Sequence, residues 1–135
     1  MSNEYEFEDV TTDAAIATYQ ASTPIFEGLI KEIRELSRKK PDATMSASKV
    51  KIVNRVLNDL LNILKAEPTG KYLEILNDES LPQVSDAVLT MVQFESALEA
   101  FKSKYRQYVD DERHWITQEN LDAWNADSQE EDSEN

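Results

Sequence analysis

Residues 84–108 have the sequence VSDAVLTMVQFESALEAFKSKYRQY, and this stretch decides the fold class. Its apolar residues recur at alternating intervals of three and four, which is the spacing of one face of an α-helix. These residues are Val84, Ala87, Met91, Phe94, Leu98, Phe101, Tyr105 and Tyr108. Because neither Gly nor Pro interrupts the pattern, it predicts one helix of about 26 residues, roughly 39 Å long.

Helical spacing also occurs upstream, in residues 13–40 and from Val50 to about Ala66. The first region contains Pro24, which removes a backbone hydrogen bond and therefore predicts either two stacked helices or one kinked helix. The second region is apolar on more than one side and predicts a central helix that ends before Pro68. Ser46 or Ser48 is available to cap it.

Shorter helical pieces are predicted over 71–76 and 117–125. Ser80 and Gln83 have the spacing of a capping box ahead of the long helix, and Ser85 is the alternative cap. The chain has only two Gly and four Pro, too few for the many tight turns of a β-sandwich or barrel. We therefore predict an all-α fold without a sheet. It is a small antiparallel bundle of three main helices plus short helical pieces, with an acidic disordered C-terminal tail.

The net charge of −13 lies at the two ends of the chain. Residues 1–10 contain four acids and no base, and residues 110–135 contain ten acids and one base, so the remainder is neutral. We predict an acidic N-terminal segment (1–10), a helical bundle domain (11–125) and an acidic tail (126–135). The tail has no large apolar residue to bury, and this composition predicts disorder.

The composition disfavours most catalytic and metal chemistry. The chain has no Cys, which excludes disulfides, thiolate metal sites and cysteine nucleophiles. His114 is the only imidazole and lies among acids in DDERHW, where a solvent-exposed side chain is the simpler interpretation. We therefore predict no catalytic residues, no metal site and no cofactor. The first ten residues lack a signal sequence and no run reaches about 18 apolar residues, so we expect a cytoplasmic protein without a membrane segment.

The segment of residues 34–55, here the basic segment, has a net charge of +5. Its side chains predict a patch for a phosphate group or an acidic partner, unless they are merely two basic helix ends beside a loop. The total charge of the protein disfavours nucleic acid as the partner. The cations of the predicted patch are Arg34, Arg38, Lys39, Lys40, Lys49, Lys51 and Arg55.

Aromatic residues predict a second binding surface. Three long helices would leave part of the apolar stripe uncovered, and an uncovered stripe is typical of a subunit interface, so a homo-oligomer is one expectation. The predicted interface residues are Phe94, Phe101, Tyr105, Tyr108, Trp115 and Trp124.

The leading functional hypothesis is a non-enzymatic protein–protein interaction or regulatory protein that acts through the apolar helix stripe and the acidic ends. Its partner is then another protein, and apolar anchoring predicts modest salt dependence and tolerance of deletion of residues 126–135. One alternative is an acidic decoy that occupies a nucleic-acid-binding protein. Another is a helical module that binds nucleic acid or phosphate through the basic segment.

Overall fold

A computed structural model describes the backbone of residues 5–134 and the side chains of residues 5–128. The elements are α1 (Asp13–Lys39), α2 (Ala47–Leu64), a 3₁₀ helix (Pro68–Tyr72), α3 (Val84–Tyr105), β1 (Arg106–Val109), β2 (Glu112–Trp115) and α4 (Gln118–Glu134). The structure is 67% helical, which confirms the mainly helical fold class. The hairpin of β1 and β2 departs from the prediction of no sheet. None of the helices in residues 5–134 is long and apolar enough to cross a membrane.

Contacts along the chain define two compact units. Unit 1 consists of residues 1–17 and 102–135, and unit 2 consists of residues 18–101. These boundaries differ from the predicted single domain of residues 11–125, because the N-terminal segment belongs to the same unit as the hairpin and α4.

Unit 2 has an apolar core built from α1, α2 and α3. The stripe of α3 is buried from Val84 to Phe101, as its spacing predicted. The predicted face of α2 from Val50 to Leu64 is likewise buried. The other buried apolar side chains of this unit are Phe26, Ile30, Ile33, Met45, Leu73 and Leu76.

Pro24 lies inside α1, which is one helix from Asp13 to Lys39 and not two pieces. Proline removes one helical hydrogen bond, so burial on both sides of the residue must hold the helix together. Tyr19 stacks on Phe101 with ring centroids 5.5 Å apart, one turn before the proline. Phe26 is fully buried just after it. Burial raises the pKa of Tyr19, and the carboxylates of Glu99 and Glu27 raise it further.

The stretch after the 3₁₀ helix is extended, so the predicted helical piece over 71–76 is wrong beyond Tyr72. The buried amide of Asn54 on α2 accounts for the difference. Its Nδ2 donates to the carbonyl of Leu76 at 2.8 Å, and its Oδ1 accepts from the Leu76 N–H at 2.8 Å. The side chain thus replaces the partner that a neighbouring strand would supply.

The predicted capping box at Ser80 and Gln83 is also wrong, because α3 begins at Val84 with backbone partners instead. The Val84 N–H donates to the Ala43 carbonyl at 2.8 Å, and the Met45 N–H donates to the Pro82 carbonyl at 2.8 Å. Side-chain caps occur elsewhere. The Oγ of Ser46 accepts from the Lys49 N–H at 3.2 Å, and the hydroxyls of Thr12 and Thr117 cap α1 and α4 in the same way.

In unit 1, α3 ends at Tyr105 and the chain turns back as a hairpin, so Tyr108 does not continue the helical stripe. Arg106 pairs with Trp115 across the strands, and Val109 pairs with Glu112. The two linking residues have positive φ angles, 52° at Asp110 and 69° at Asp111. Two positive φ values define the tight turn that matches the twist of a two-stranded ribbon.

The second strand of the hairpin leads to α4, and residue 11 joins the two. The Thr11 N–H donates to the Ile116 carbonyl at 3.0 Å, and the Gln118 N–H donates to the Thr11 carbonyl at 2.9 Å. Helix α4 continues to Glu134, whereas the sequence predicts disorder over 126–135. No Pro or Gly interrupts this region and its Glu and Gln residues favour helix. Asn135 lies outside the described residues.

Replacing each of the two glycines with alanine should have opposite effects on the free energy of unfolding. A Cβ at Gly28 in α1 would have no atom within 4 Å, so Gly28→Ala should raise the free energy of unfolding by about 0.5–1 kcal/mol. A Cβ at Gly70 would clash with the Leu64 carbonyl oxygen, so Gly70→Ala should lower that free energy by about 1–3 kcal/mol. Urea unfolding measures both. Effects of the same sign would contradict the packing described for Gly70.

Candidate functional site

The excess negative charge belongs almost entirely to unit 1. Unit 2 contains 12 acids and 10 bases, whereas unit 1 contains 15 acids and 4 bases. Unit 1 therefore carries −11 of the total of −13. The predicted acidic ends of the chain are thus parts of one compact unit, which the sequence did not reveal.

The N-terminal segment packs on α4 through alternate residues. The rings of Tyr5 and Phe7 lie 5.6 Å and 6.4 Å from the ring of Trp124. The Tyr5 N–H donates to Asn125 Oδ1 at 2.7 Å, and Asn125 Nδ2 donates to the Tyr5 carbonyl at 3.3 Å. With the aromatic side chains against the helix, the intervening carboxylates of Glu6 and Glu8 are exposed.

The hairpin turn adds a second group of carboxylates. Asp110, Asp111 and Glu112 are exposed, and the Tyr5 hydroxyl donates a hydrogen bond to the Asp110 carboxylate. This bond joins the N-terminal segment to the hairpin. The term acidic surface is used below for six exposed residues on these two segments: Glu6, Glu8, Asp9, Asp110, Asp111 and Glu112.

Two basic groups lie against the acidic surface. Lys104 Nζ is 3.8 Å from Asp9 Oδ1, and the lysine lies in a cleft of about 300 Å³ that Glu6 and Phe7 also line. His114 Nε2 is 3.5 Å from Glu112 Oε2. Among the described residues these ion pairs involve two of the six carboxylates, so most of the acidic surface is open to a cationic ligand.

The sequence predicted that His114 is a solvent-exposed residue. In the structure it is a half-buried residue of β2. Its ring meets the ring of Trp124 edge-on, with centroids 5.3 Å apart. Within the described residues no group of three or more His, Asp or Glu side chains is arranged to hold a metal ion. The described contacts of His114 are a ring contact with Trp124 and an approach to Glu112.

The aromatic residues of the predicted interface divide between core and surface. Phe94, Phe101 and Tyr105 are buried within the chain, so they do not form an exposed stripe. Tyr108 is 72% exposed, on the strand before the acidic turn. The two tryptophans are half-buried: Trp115 lies under the guanidinium of Arg106 at 5.4 Å, and Trp124 lies under the N-terminal segment.

Two cations of the basic segment are neutralised by ion pairs. Arg34 makes a bidentate pair with Glu95, with its Nη2 2.9 Å from Oε1, and Arg38 pairs with Glu35 at 2.6 Å. Lys39, Lys40 and Lys49 are exposed and have no ion pair within the part of the chain that the structure describes. Lys51 and Arg55 line a recess, and neither has a carboxylate partner among the described residues.

This recess, called the basic groove below, runs along α2 and has a volume of about 570 Å³. Lys51 and Arg55 are one turn apart on the exposed side of the helix. Neither forms an ion pair with any described residue, although Asp78 lines the same groove. The sequence did not predict its other lining residues, which are Ala47, Asn54, Asn58, Ile75 and Asp78.

No protein-family model matches the chain, and no curated protein or solved structure is significantly similar to it. Two surfaces of opposite charge are the candidate binding sites of this protein. These are the acidic surface of unit 1 and the basic groove of unit 2.

Proposed function

We propose that this protein is a non-enzymatic interaction or regulatory protein that binds a basic partner protein through the acidic surface. The observation that carries the proposal is the excess of 11 negative charges in unit 1, with six exposed carboxylates on two segments that Tyr5 joins. Exposed charges of one sign accelerate encounter with a partner of the opposite sign and disfavour partners of like charge.

An exposed aromatic ring supplies an anchor beside the carboxylates. Tyr108 is 72% exposed and lies two residues before Asp110 in the hairpin. The guanidinium of Arg113, its cross-strand neighbour, lies 5.7 Å from the ring centroid. Tyrosines at the centre of an interface contribute strongly to affinity, whereas exposed charges around them govern rate and selectivity.

Burial of the α3 stripe changes the expected character of binding. The sequence predicts apolar anchoring with modest salt dependence, but Phe94, Phe101 and Tyr105 are inside the core. Binding through exposed carboxylates should weaken steeply as salt rises, because screening acts most strongly on exposed charges. Deletion of residues 126–135 should still be tolerated, since the acidic surface lies outside that segment.

The test is a neutralised hairpin variant, Asp110→Asn, Asp111→Gly and Glu112→Gln. Asn-Gly suits a turn with two positive φ angles, so the hairpin is preserved while three charges are removed. A basic partner is first captured with the intact protein and purified, and each protein is then titrated with it. We expect the affinity of the variant for this partner to be at least about tenfold lower.

The matched control is Glu32→Gln, Glu74→Gln and Glu79→Gln, which removes three exposed acids of unit 2 and changes the net charge equally. The control should bind the partner as the intact protein does. Equal losses in the two variants would attribute binding to overall charge and contradict a role for the acidic surface.

An acidic decoy is the second candidate function, and one observation favours it. Exposed carboxylates lie on two folded elements, the hairpin and residues 118–128 of α4, and together they present a negative surface. A decoy predicts that the captured partner binds nucleic acid and that DNA competes with this protein for it. A captured partner that is indifferent to DNA would exclude the decoy and retain the interaction protein.

A further inference from the structure

We infer that the basic groove binds the hairpin tip of a second copy of this chain, so that the protein associates head to tail. The hairpin tip is defined here as Tyr108 with the three carboxylates of Asp110, Asp111 and Glu112. This goes beyond the proposed function, since it assigns an occupant to the groove of unit 2.

The groove offers two cations and an apolar wall. Lys51 and Arg55 are exposed, one turn apart, and free of ion pairs with any residue of the described chain. The side chain of Ile75 lines the same groove and is 40% exposed. The amide of Asn58, one turn beyond Arg55, adds a hydrogen-bond donor and an acceptor. The groove is open to solvent, and its volume of about 570 Å³ is within the range of ligand-binding sites.

The hairpin tip offers the complementary groups on an exposed two-residue turn and the strands beside it. Its three carboxylates are consecutive and exposed, and the first two are fixed in a tight turn with φ of 52° and 69°. Tyr108 is 72% exposed and adjoins them on the same hairpin. Carboxylates can thus meet Lys51 and Arg55, whose two positive charges outnumber the one carboxylate of Asp78 in the groove, while the tyrosine ring meets Ile75.

Head-to-tail pairing also avoids the repulsion expected for a protein of charge −13. Unit 1 carries −11, but unit 2 carries only −2. Pairing the acidic unit of one copy with the groove of another therefore brings a strongly negative surface to a nearly neutral one. Because the two contact surfaces differ, the pairing is heterologous and can continue beyond a dimer.

The experiment is sedimentation velocity over a concentration series at about 0.15 M ionic strength. The intact protein should associate. The groove variant Lys51→Glu with Arg55→Glu and the hairpin variant Asp110→Asn, Asp111→Gly and Glu112→Gln should each raise the dissociation constant at least about tenfold. All five positions are exposed, and circular dichroism of each variant checks that the fold is retained.

Mixing the two variants tests directly whether the hairpin tip of one copy binds the groove of the other. The groove variant keeps a hairpin tip and the hairpin variant keeps a groove, so an equimolar mixture should form one heterodimer that cannot extend. The control Lys39→Glu with Lys40→Glu changes the net charge as much as the groove variant, at exposed cations outside the groove, and should still associate.

Three outcomes would overturn the inference: a monomeric intact protein, association that survives in the groove variant, or a mixture that stays monomeric. Failure of the proposed function is distinguishable from these. The groove variant keeps the whole acidic surface and should capture the basic partner normally, whether or not it associates with itself.

Discussion

Replacing Phe101 with alanine should lower the free energy of unfolding by about 3–5 kcal/mol. The side chain is 2% exposed, lies one turn before Tyr105 in the buried stripe of α3 and stacks on Tyr19. Truncation removes apolar burial and leaves a cavity that a packed helical core fills only partly. Leu98→Ala, one turn earlier and also buried, should cost about 2–5 kcal/mol for the same reason.

Urea unfolding followed by circular dichroism measures both effects. Leu89→Ala is the matched control, because Leu89 lies on the same helix but is 64% exposed, and its truncation should change stability by less than about 0.5 kcal/mol. If Phe101→Ala behaved like Leu89→Ala, the stripe would be a surface and not core. The aromatic stripe that the sequence predicts as an interface would then be the candidate binding surface.

Replacing Asn54 with alanine should lower the free energy of unfolding by about 2–4 kcal/mol. The amide makes two hydrogen bonds of 2.8 Å with the N–H and carbonyl of Leu76, and all three groups are buried. Without the amide, two backbone groups keep no partner in an apolar environment, which costs more than the hydrogen bonds contribute.

Asn58→Ala is the control for this substitution, because Asn58 is exposed on the same helix and should tolerate the change to within about 0.5 kcal/mol. Asn54→Asp separates the two hydrogen bonds. A carboxylate still accepts from the Leu76 N–H, but it cannot donate to the carbonyl and brings a buried charge. We expect Asn54→Asp to be no more stable than Asn54→Ala. A neutral effect of either substitution would contradict the stabilising role of the two hydrogen bonds between Asn54 and Leu76.

Part of the candidate site was predictable from the sequence. The position of Asn54 carried a signal, since it lies four residues after Val50 and three before Leu57, on the buried side of α2. A polar residue on an apolar face indicates a specific hydrogen-bond partner. The partner itself, Leu76, is 22 residues away, and local spacing contains no information about that pairing.

The basic segment illustrates the opposite case. Seven cations close in sequence predict one patch, but ion pairs neutralise Arg34 and Arg38, and only Lys51 and Arg55 share the groove. The partner of Arg34, Glu95, lies 61 residues away on α3, so only packing of the helices decides which cations are neutralised.

The mainly helical fold class, a cap at Ser46 or Ser48 ahead of α2 and the location of the charge at the chain ends followed from the sequence alone. These features depend on residues a few positions apart, where the helical period and side-chain caps act directly. Tertiary structure alone decided that α3 stops at Tyr105. The spacing of three from Tyr105 to Tyr108 is equally compatible with helix, but the pairing of Arg106 with Trp115 ends it.

Tertiary structure also decided that the two acidic ends form one surface. Composition placed the carboxylates in residues 1–10 and 110–135, but their meeting depends on contacts between residues more than 100 positions apart. The bonds from Tyr5 to Asp110 and Asn125 are such contacts, and the backbone bonds of Thr11 to Ile116 and Gln118 are others. The physical reason is that periodicity and charge are local properties of a chain, whereas the choice of a hydrogen-bond partner is settled only when the chain folds.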